Sequence, residues 1–467
     1  MNRRASDAGR IAGAALAAIF AIAALAPRAD ALEIKRMRLS NGAVLLVSEE
    51  HQLPMVTASI AFDAGARRDP EGKAGLAALT ARCLGQGTKD LSAADFNQKV
   101  DFMGSSVGVN ASRDYAVAGF TSLKKYQINT LALMAGILTQ PGLRDADIER
   151  KRAETIAGIR AQEEEPGYAA SVKFQKALFG DTPYGHPQDG SAESVAKLTP
   201  DDVRAFYRQY YRLGSAVIAV TGDVRADDVK VSLEKALAGL GGTVAPQAVP
   251  PEPPLPKGLD AKLVDRRVQQ ANIIMGFGGI ARANPDFYKL QVMNYIFGGG
   301  GFASRLVQIV RSEHGLAYSV GSVVDAGKFP GAYGIRLQTK NSSANEAIKL
   351  ILEQMRTIQE HPVTDAELDG AKKFLIGSFP LKFDRQSAIA GFMLGIELDH
   401  LGLDYADRYP KLIEAVSKQD VQEMARKYLH PDAILLVAVA NLKDAAINTA
   451  MLSQVAAGDS SAAPAKQ

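Results

Sequence analysis

The sequence predicts an α+β protein of two homologous domains, each a mainly antiparallel sheet packed with helices. Three observations carry this. At 467 residues the chain exceeds what one ordinary core holds. Six prolines in "GGTVAPQAVPPEPPLPKG", residues 241–258, favour an extended connector that divides the chain. Finally, "LTPDDVRAFYRQYYRLGSAVIAVTGDV" (198–224) matches "VSKQDVQEMARKYLHPDAILLVAVANL" (416–442) at a constant offset of 218, and an internal repeat of that size implies duplicated domains.

The elements follow in order. Arg3, Arg4 and Arg10 precede the apolar run "IAGAALAAIFAIAALA", and Ala29-Asp30-Ala31 supplies small residues for cleavage. Residues 1–31 therefore read as a secretory signal peptide, with the mature chain starting near Leu32. The 16-residue run is short for a membrane anchor. Cutting there removes four arginines and two aspartates, so a formal +3 becomes +1. That balance gives no electrostatic case for nucleic acid or, after cleavage, for a membrane. One cysteine, Cys83, excludes an intramolecular disulfide, and export without disulfides fits a periplasm. Cys83 itself reads as a buried small hydrophobe.

The first domain spans 32–240. Its strands are "GAVLLVSEE" and "MVTASIAFDAG", followed by helices at roughly 92–104, 123–137 and 145–164. The segment "EGKAGLAALTARCLGQGT" (71–88) carries Leu76, Leu79, Cys83 and Leu84 at helical spacing. In the repeated segment a helix capped by Thr199 passes through Tyr210 to a turn and an apolar strand, and Ser417 caps the copy in the second domain. That second domain, 259–450, opens with "AKLVDRR", "QANIIMGFGG" and a helix over 285–297. Residues 451–467, ending in "AAGDSSAAPAKQ", are expected to be a disordered tail.

The segment "FGGGGFASRLVQIVRSEHGLAYSVGS" (297–322) holds most information. Gly298, Gly299, Gly300 and Gly301 remove side chains where a backbone must pass close or flex, and Ser304 is placed to cap the next helix. Leu306, Ile309 and Val310 mark that helix's buried face, with Arg311 in its last turn. Beyond Gly315 a strand carries Tyr318, with Val320 on the same side. Arginine and tyrosine from a helix end and a neighbouring strand can aim two donors at one point.

The 71–88 segment, with "FDAGARRDP" before it and "LFGDTPYGHPQDGSAESVAKLT" at 178–199, resembles the insulinase/pitrilysin (inverzincin) family of zinc metallopeptidases, including processing-peptidase-like bacterial members. The resemblance runs through almost all of the mature chain. It implies a duplicated architecture that forms a clam-shell chamber. In active members the equivalent helix carries H-x-x-E-H, two histidine ligands at i and i+4 with a glutamate base. Laid on that pattern, the first histidine falls on Ala78, the glutamate on Ala81 and the second histidine on Arg82. The third ligand, a glutamate eight residues before a proline, falls on Gly158, counted back from Pro166. A guanidinium at Arg82 would also repel a divalent cation. His51, His186, His314, His361, His400 and His430 offer no paired helical spacing; His400 with Glu397 and Asp399 is the nearest remnant of a metal site and reads better as a solvated helix end.

The Arg311–Tyr318 pair, within R-x-x-x-G-L-x-Y, resembles the family's pair that reaches across the chamber to the substrate carbonyl and stabilises the oxyanion. The glycine run resembles the loop that admits and grips the peptide. Together these imply a zinc-free subunit of a periplasmic heterodimeric endopeptidase acting on peptides or unfolded segments. No cofactor is expected in this chain, and zinc is expected in a homologous partner subunit. A second reading is a non-enzymatic peptide-binding or assembly protein with a peptidase-like chamber. A third is a solitary hydrolase with an unorthodox metal site.

Overall fold

The computed structural model describes residues 32–458; the expected signal peptide and the last nine residues lie outside them. Two sheets account for the strands. The first contains β1 (Lys35–Arg38), β2 (Val44–Glu49), β3 (Met55–Phe62), β4 (Ser106–Ala111), β5 (Ala116–Leu123) and β6 (Val217–Gly222), ordered β1-β2-β6-β3-β5-β4. The second contains β7 (Asp260–Asp265), β8 (Gln270–Gly278), β9 (Ala317–Val324), β10 (Ala332–Lys340) and β11 (Leu435–Ala440), ordered β7-β11-β8-β10-β9. Without β1 the two orders coincide. All pairings are antiparallel except β2 with β6 and β7 with β11. The chain is thus a duplicated α+β protein.

The 218-residue repeat is visible atom by atom. Helix Pro200–Tyr210 opens with a Thr199–Asp202 capping box, and helix Lys418–Tyr428 with one made by Ser417 and Asp420. Each runs through a turn into a wholly buried strand, β6 or β11. Reciprocal Ser/Thr–Asp caps satisfy two otherwise orphaned N–H groups each, which sets where these helices start.

Each sheet has two covered faces. One packs against its own half's helices, forming a core around Ile60, Leu79 and Ile218 in the first half and around Met275, Ile351 and Leu436 in the second. The other face is covered by a helix from the opposite half. Helix Pro166–Phe179 lays Ala170, Phe174 and Leu178 on Ile274, Leu435 and Val437. Its counterpart Gln386–Leu398 lays Ile389, Ala390 and Met393 on Leu46, Val217 and Ala219. Strands buried on both faces read as continuous apolar runs, which is what "AVIAV" and "LLVAVA" are. The two halves are therefore tied by apolar burial.

The proline-rich segment 241–258 forms neither helix nor strand and is pinned to the first half. The Gln247 amide donates to the Arg67 carbonyl at 2.8 Å, and Arg68 Nη2 donates to the Ala245 carbonyl at 2.9 Å. Order also extends past the expected end of the second domain. Helix Thr449–Ala457 buries Leu452, Val455 and Ala456 in the core, so residues 451–457 are not a disordered tail: their apolar spacing finds a groove beside helix Ala344–Glu360.

Candidate functional site

Helix Leu76–Leu84 is the first half of the site. Gly75 precedes it with φ +95°, and its Cβ, were there one, would meet the Asp189 carbonyl at 2.5 Å, so only glycine fits. The Asp69 carboxylate accepts from the backbone N–H groups of Gly75 and Ala77, each at 2.7 Å, and so starts the helix. Burial pushes the Asp69 pKa up to about 7, against the pull of those N–H donors. Cys83 is buried on the core side, and burial pushes its thiol up to about 12.

Ala78 and Ala81 are buried. Arg82 points out into a cleft of about 360 Å³ that it shares with Lys151, Glu154, Thr155, Gly158, Gln162 and Asp189. The structure thus brings together Arg82 and Gly158, two of the positions expected to correspond to metal ligands. Arg82 Nη2 donates to Asp189 Oδ1 at 2.7 Å, and Nη1 donates to Thr155 Oγ1 at 3.2 Å. These residues do not fit zinc. Two methyl groups, a glycine and a guanidinium offer no lone pair to a metal, and the cleft's two carboxylates are spent, Asp189 on Arg82 and Glu154 on Arg150 and Lys151. Glu397, one of the two acidic companions of His400, is likewise held by Arg36 through two bonds of 2.9 and 2.7 Å.

The second half of the site lies on 295–318, and irregular backbone shapes it. Helix Phe287–Asn294 runs into a π-helical turn, Tyr295–Gly299. Gly298 is buried, and a Cβ there would sit 2.5 Å from Ser322 Oγ; at Gly299 it would meet Asn294 Nδ2 at 2.5 Å and at Gly300 the Tyr295 carbonyl at 2.6 Å. Only Gly301, at φ +57°, has open space around it. Close backbone packing therefore demands glycine at 298 and 300, whereas at 299 a side chain would have to displace the Asn294 amide; of the run Gly299 and Gly301 are the exposed members.

Ser304 does not cap the following helix with its side chain: its hydroxyl turns back and donates to the Gly301 carbonyl at 2.7 Å. The expected buried face also shifts. Leu306, Val307 and Val310 are buried while Ile309 is only half-buried, because residues 307–313 are wound as a π-helix and the i→i+5 pattern changes the phase. Arg311 emerges exposed from its last turn, its Cζ 5.1 Å from the centre of the Phe302 ring.

Tyr318 does not share a side with Val320. In the β9–β10 ladder Ser319 pairs with Gln338 and Ala317 with Thr339, leaving Tyr318 as the extra residue of a β-bulge. Simple alternation would turn it inward with buried Val320; the bulge turns it outward, 70 % exposed. Among the described residues neither the Arg311 guanidinium nor the Tyr318 hydroxyl has a hydrogen-bond or ion-pair partner. Both arrive at the surface with donors free.

A buried polar junction escaped the reading of the sequence. Arg67 is buried, ion-paired with Asp63, and donates to Gln247. Asp114 accepts from the Tyr184 hydroxyl at 2.6 Å and from the Lys328 backbone at 3.0 Å, joining the halves. The adjacent arginines of "GARRDP" were the available signal, since buried arginines require partners.

Comparison with known proteins agrees with this construction. Residues 44–189 match the Insulinase (Peptidase family M16) family, and residues 197–375 match the Peptidase M16 inactive domain. The chain is 27% identical over 406 residues to the non-peptidase homolog YmxG of Helicobacter pylori, covering 85% of this chain and 92% of that one. It is 26% identical over 401 residues to an uncharacterized zinc protease of Streptomyces coelicolor, covering 85% and 87%. Among solved structures, the peptidase M16 inactive domain from Pseudomonas fluorescens superimposes with a TM-score of 0.82 at 28% identity, over 88% of this chain and 98% of that one. The duplicated sheets and these matches place the chain in the insulinase family, peptidase family M16.

Proposed function

We propose that this protein is the zinc-free subunit of a periplasmic heterodimeric metalloendopeptidase, presenting Arg311 and Tyr318 to a peptide bound at the metal site of a homologous partner. One observation carries the reading: the Arg82–Asp189 pair occupies the face that the resemblance aligns with the metal site, while Arg311 at the end of its helix and Tyr318 on its bulge both reach the surface without a bonding partner among the described residues. Keeping two unpartnered donors at the surface while removing every ligand divides the work between chains. A guanidinium and a phenol hold a substrate carbonyl and gain strength as negative charge grows on its oxygen. Zinc and the base belong to the partner, and the substrate is a peptide or unfolded segment. The N-terminal residues 1–31 direct export.

The test is co-expression with an H-x-x-E-H-bearing relative, followed by peptidase assay of each chain alone and of both together. Activity confined to the mixture is expected. Chelator-sensitive hydrolysis by this chain alone would overturn the proposal.

The other reading, a peptide-binding or assembly protein, draws on β9, an edge strand of its sheet onto which an extended peptide could add. A holder of that kind has no use for oxyanion donors, so its peptide affinity would survive Arg311→Ala.

A further inference from the structure

We infer that Phe302 is the positioning residue for Arg311, holding the guanidinium by its face so that its N–H edge stays free for a peptide carbonyl oxygen. The inference rests on the functional reading above and names a component that it leaves open: what orients a surface arginine that has no carboxylate partner.

Phe302 is an exposed ring on an immobilised turn. Its side chain is 69 % exposed, yet its backbone is held from three directions. Before it, Gly298 and Gly300 are packed against the Ser322 and Tyr295 backbones too closely for any side chain, and Gly299 lies against the Asn294 amide. After it, Ser304 Oγ donates to the Gly301 carbonyl at 2.7 Å. The Gln308 side-chain amide donates to the carbonyl of Phe302 itself. The ring is therefore a fixed platform, and the Arg311 guanidinium lies over it with Cζ 5.1 Å from the ring centre.

The choice of an aromatic partner has a chemical consequence. A carboxylate would orient an arginine by accepting its N–H groups, which consumes the donors and cancels the charge. An aromatic face attracts the cation through the ring quadrupole and leaves all five N–H donors in the guanidinium plane unspent. The contrast is present in this molecule: Arg82 and Arg305 are each tied to a carboxylate, Asp189 and Glu367, whereas Arg311 lies on a ring. An arginine that must bind an uncharged carbonyl needs the second arrangement, because donors already bonded to a carboxylate offer little to a weaker acceptor.

The experiment uses the full chain mixed with its H-x-x-E-H-bearing relative and compares wild type, Phe302→Leu, Phe302→Trp, Arg311→Ala and the double variant Phe302→Leu/Arg311→Ala. Phe302→Leu is expected to lower kcat about two- to fivefold, the range of an exposed cation–π contact. KM should stay near wild type, Phe302→Trp should restore the rate, and the double variant should be no slower than Arg311→Ala. On this chain alone, the ring-current shift of the Arg311 Hε resonance should vanish in Phe302→Leu and persist in Phe302→Trp, a readout independent of turnover. Wild-type kcat and an unchanged Arg311 resonance in Phe302→Leu, with Arg311→Ala inactive, would overturn this inference and leave the functional reading standing. A change in KM alone would make Phe302 a substrate contact and would equally overturn it. Full activity of Arg311→Ala would remove the functional reading, and this inference with it.

Discussion

Arg82 and Asp189 meet at 2.7 Å, and Arg82 belongs to the helix that the family resemblance aligns with the H-x-x-E-H helix of active members. That pair, with the Thr155 hydroxyl at 3.2 Å, ties helix Leu76–Leu84 to helix Asp145–Glu163 and to the loop at 189. Its geometry requires that purified chain incubated with zinc and desalted retain no stoichiometric metal, measured by elemental analysis. Because Ala78 and Gly158 supply no lone pairs, Arg82→His alone should leave that result unchanged. Both partners are more than a third or close to a third exposed, so Arg82→Ala should cost about 1 kcal/mol or less in urea denaturation.

Cys83 is shut away from solvent, and burial holds its thiol protonated, its pKa pushed up to about 12. The thiolate is the reactive species. Native protein at pH 8 should therefore fail to react with a thiol-specific chromogenic disulfide, whereas one thiol per chain should react after denaturation. Rapid labelling of the native protein would contradict this burial.

Asp69 makes stability depend on pH near neutrality. Its folded pKa of about 7 lies above the ordinary carboxylate value of 3.8. Between those values the folded chain binds the proton more tightly than the unfolded one, so stability falls as pH rises through this window. The contribution is fully present below about pH 3.8 and is lost as pH passes about 7. Asp69→Asn keeps a hydrogen-bond acceptor and cannot ionise. The stability difference between Asp69→Asn and wild type should therefore change steadily from pH 4 to pH 8 in denaturant titrations, and a constant difference would contradict the assignment.

The exchanged helices couple the halves. Phe174, buried on helix Pro166–Phe179, packs on the sheet of the other half beside Ile274 and Leu435. Phe174→Ala should cost about 3–5 kcal/mol, and calorimetry should show one shared unfolding transition moved to lower temperature. Two separated transitions, with only the first-half one shifted, would contradict the coupling.

What could be read from the sequence follows a physical pattern. The duplication was legible because the Thr199 and Ser417 caps and the buried strands after them are short-range signals repeated at one offset. The lack of metal-binding side chains at Ala78, Ala81, Arg82 and Gly158, the positions that the family resemblance aligns with its metal site, needs only residue identities. The direction of Tyr318, one of the two candidate donors, was not legible. Periodicity assumes regular winding and regular pleating, whereas a π-helix re-phases Ile309 and a bulge inverts Tyr318. The placement of helix Gln386–Leu398 was not legible either: its apolar residues were visible but its partner surface, β3 and β6 of the other half, lies more than 160 residues away. The helix at Thr449–Ala457 was missed for that reason too: small residues such as Ala456 pass for a polar tail until a groove is there to receive them.

The central claim is that this chain contributes electrophilic donors to chemistry housed in another. Its most direct measurement is the kcat of the two-chain mixture with Arg311→Ala in place of wild type, with peptide binding followed in parallel. The claim predicts a loss of about 10²- to 10³-fold in kcat with assembly of the two chains intact. Undiminished turnover by the Arg311→Ala mixture, or peptide hydrolysis by this chain on its own, would contradict it.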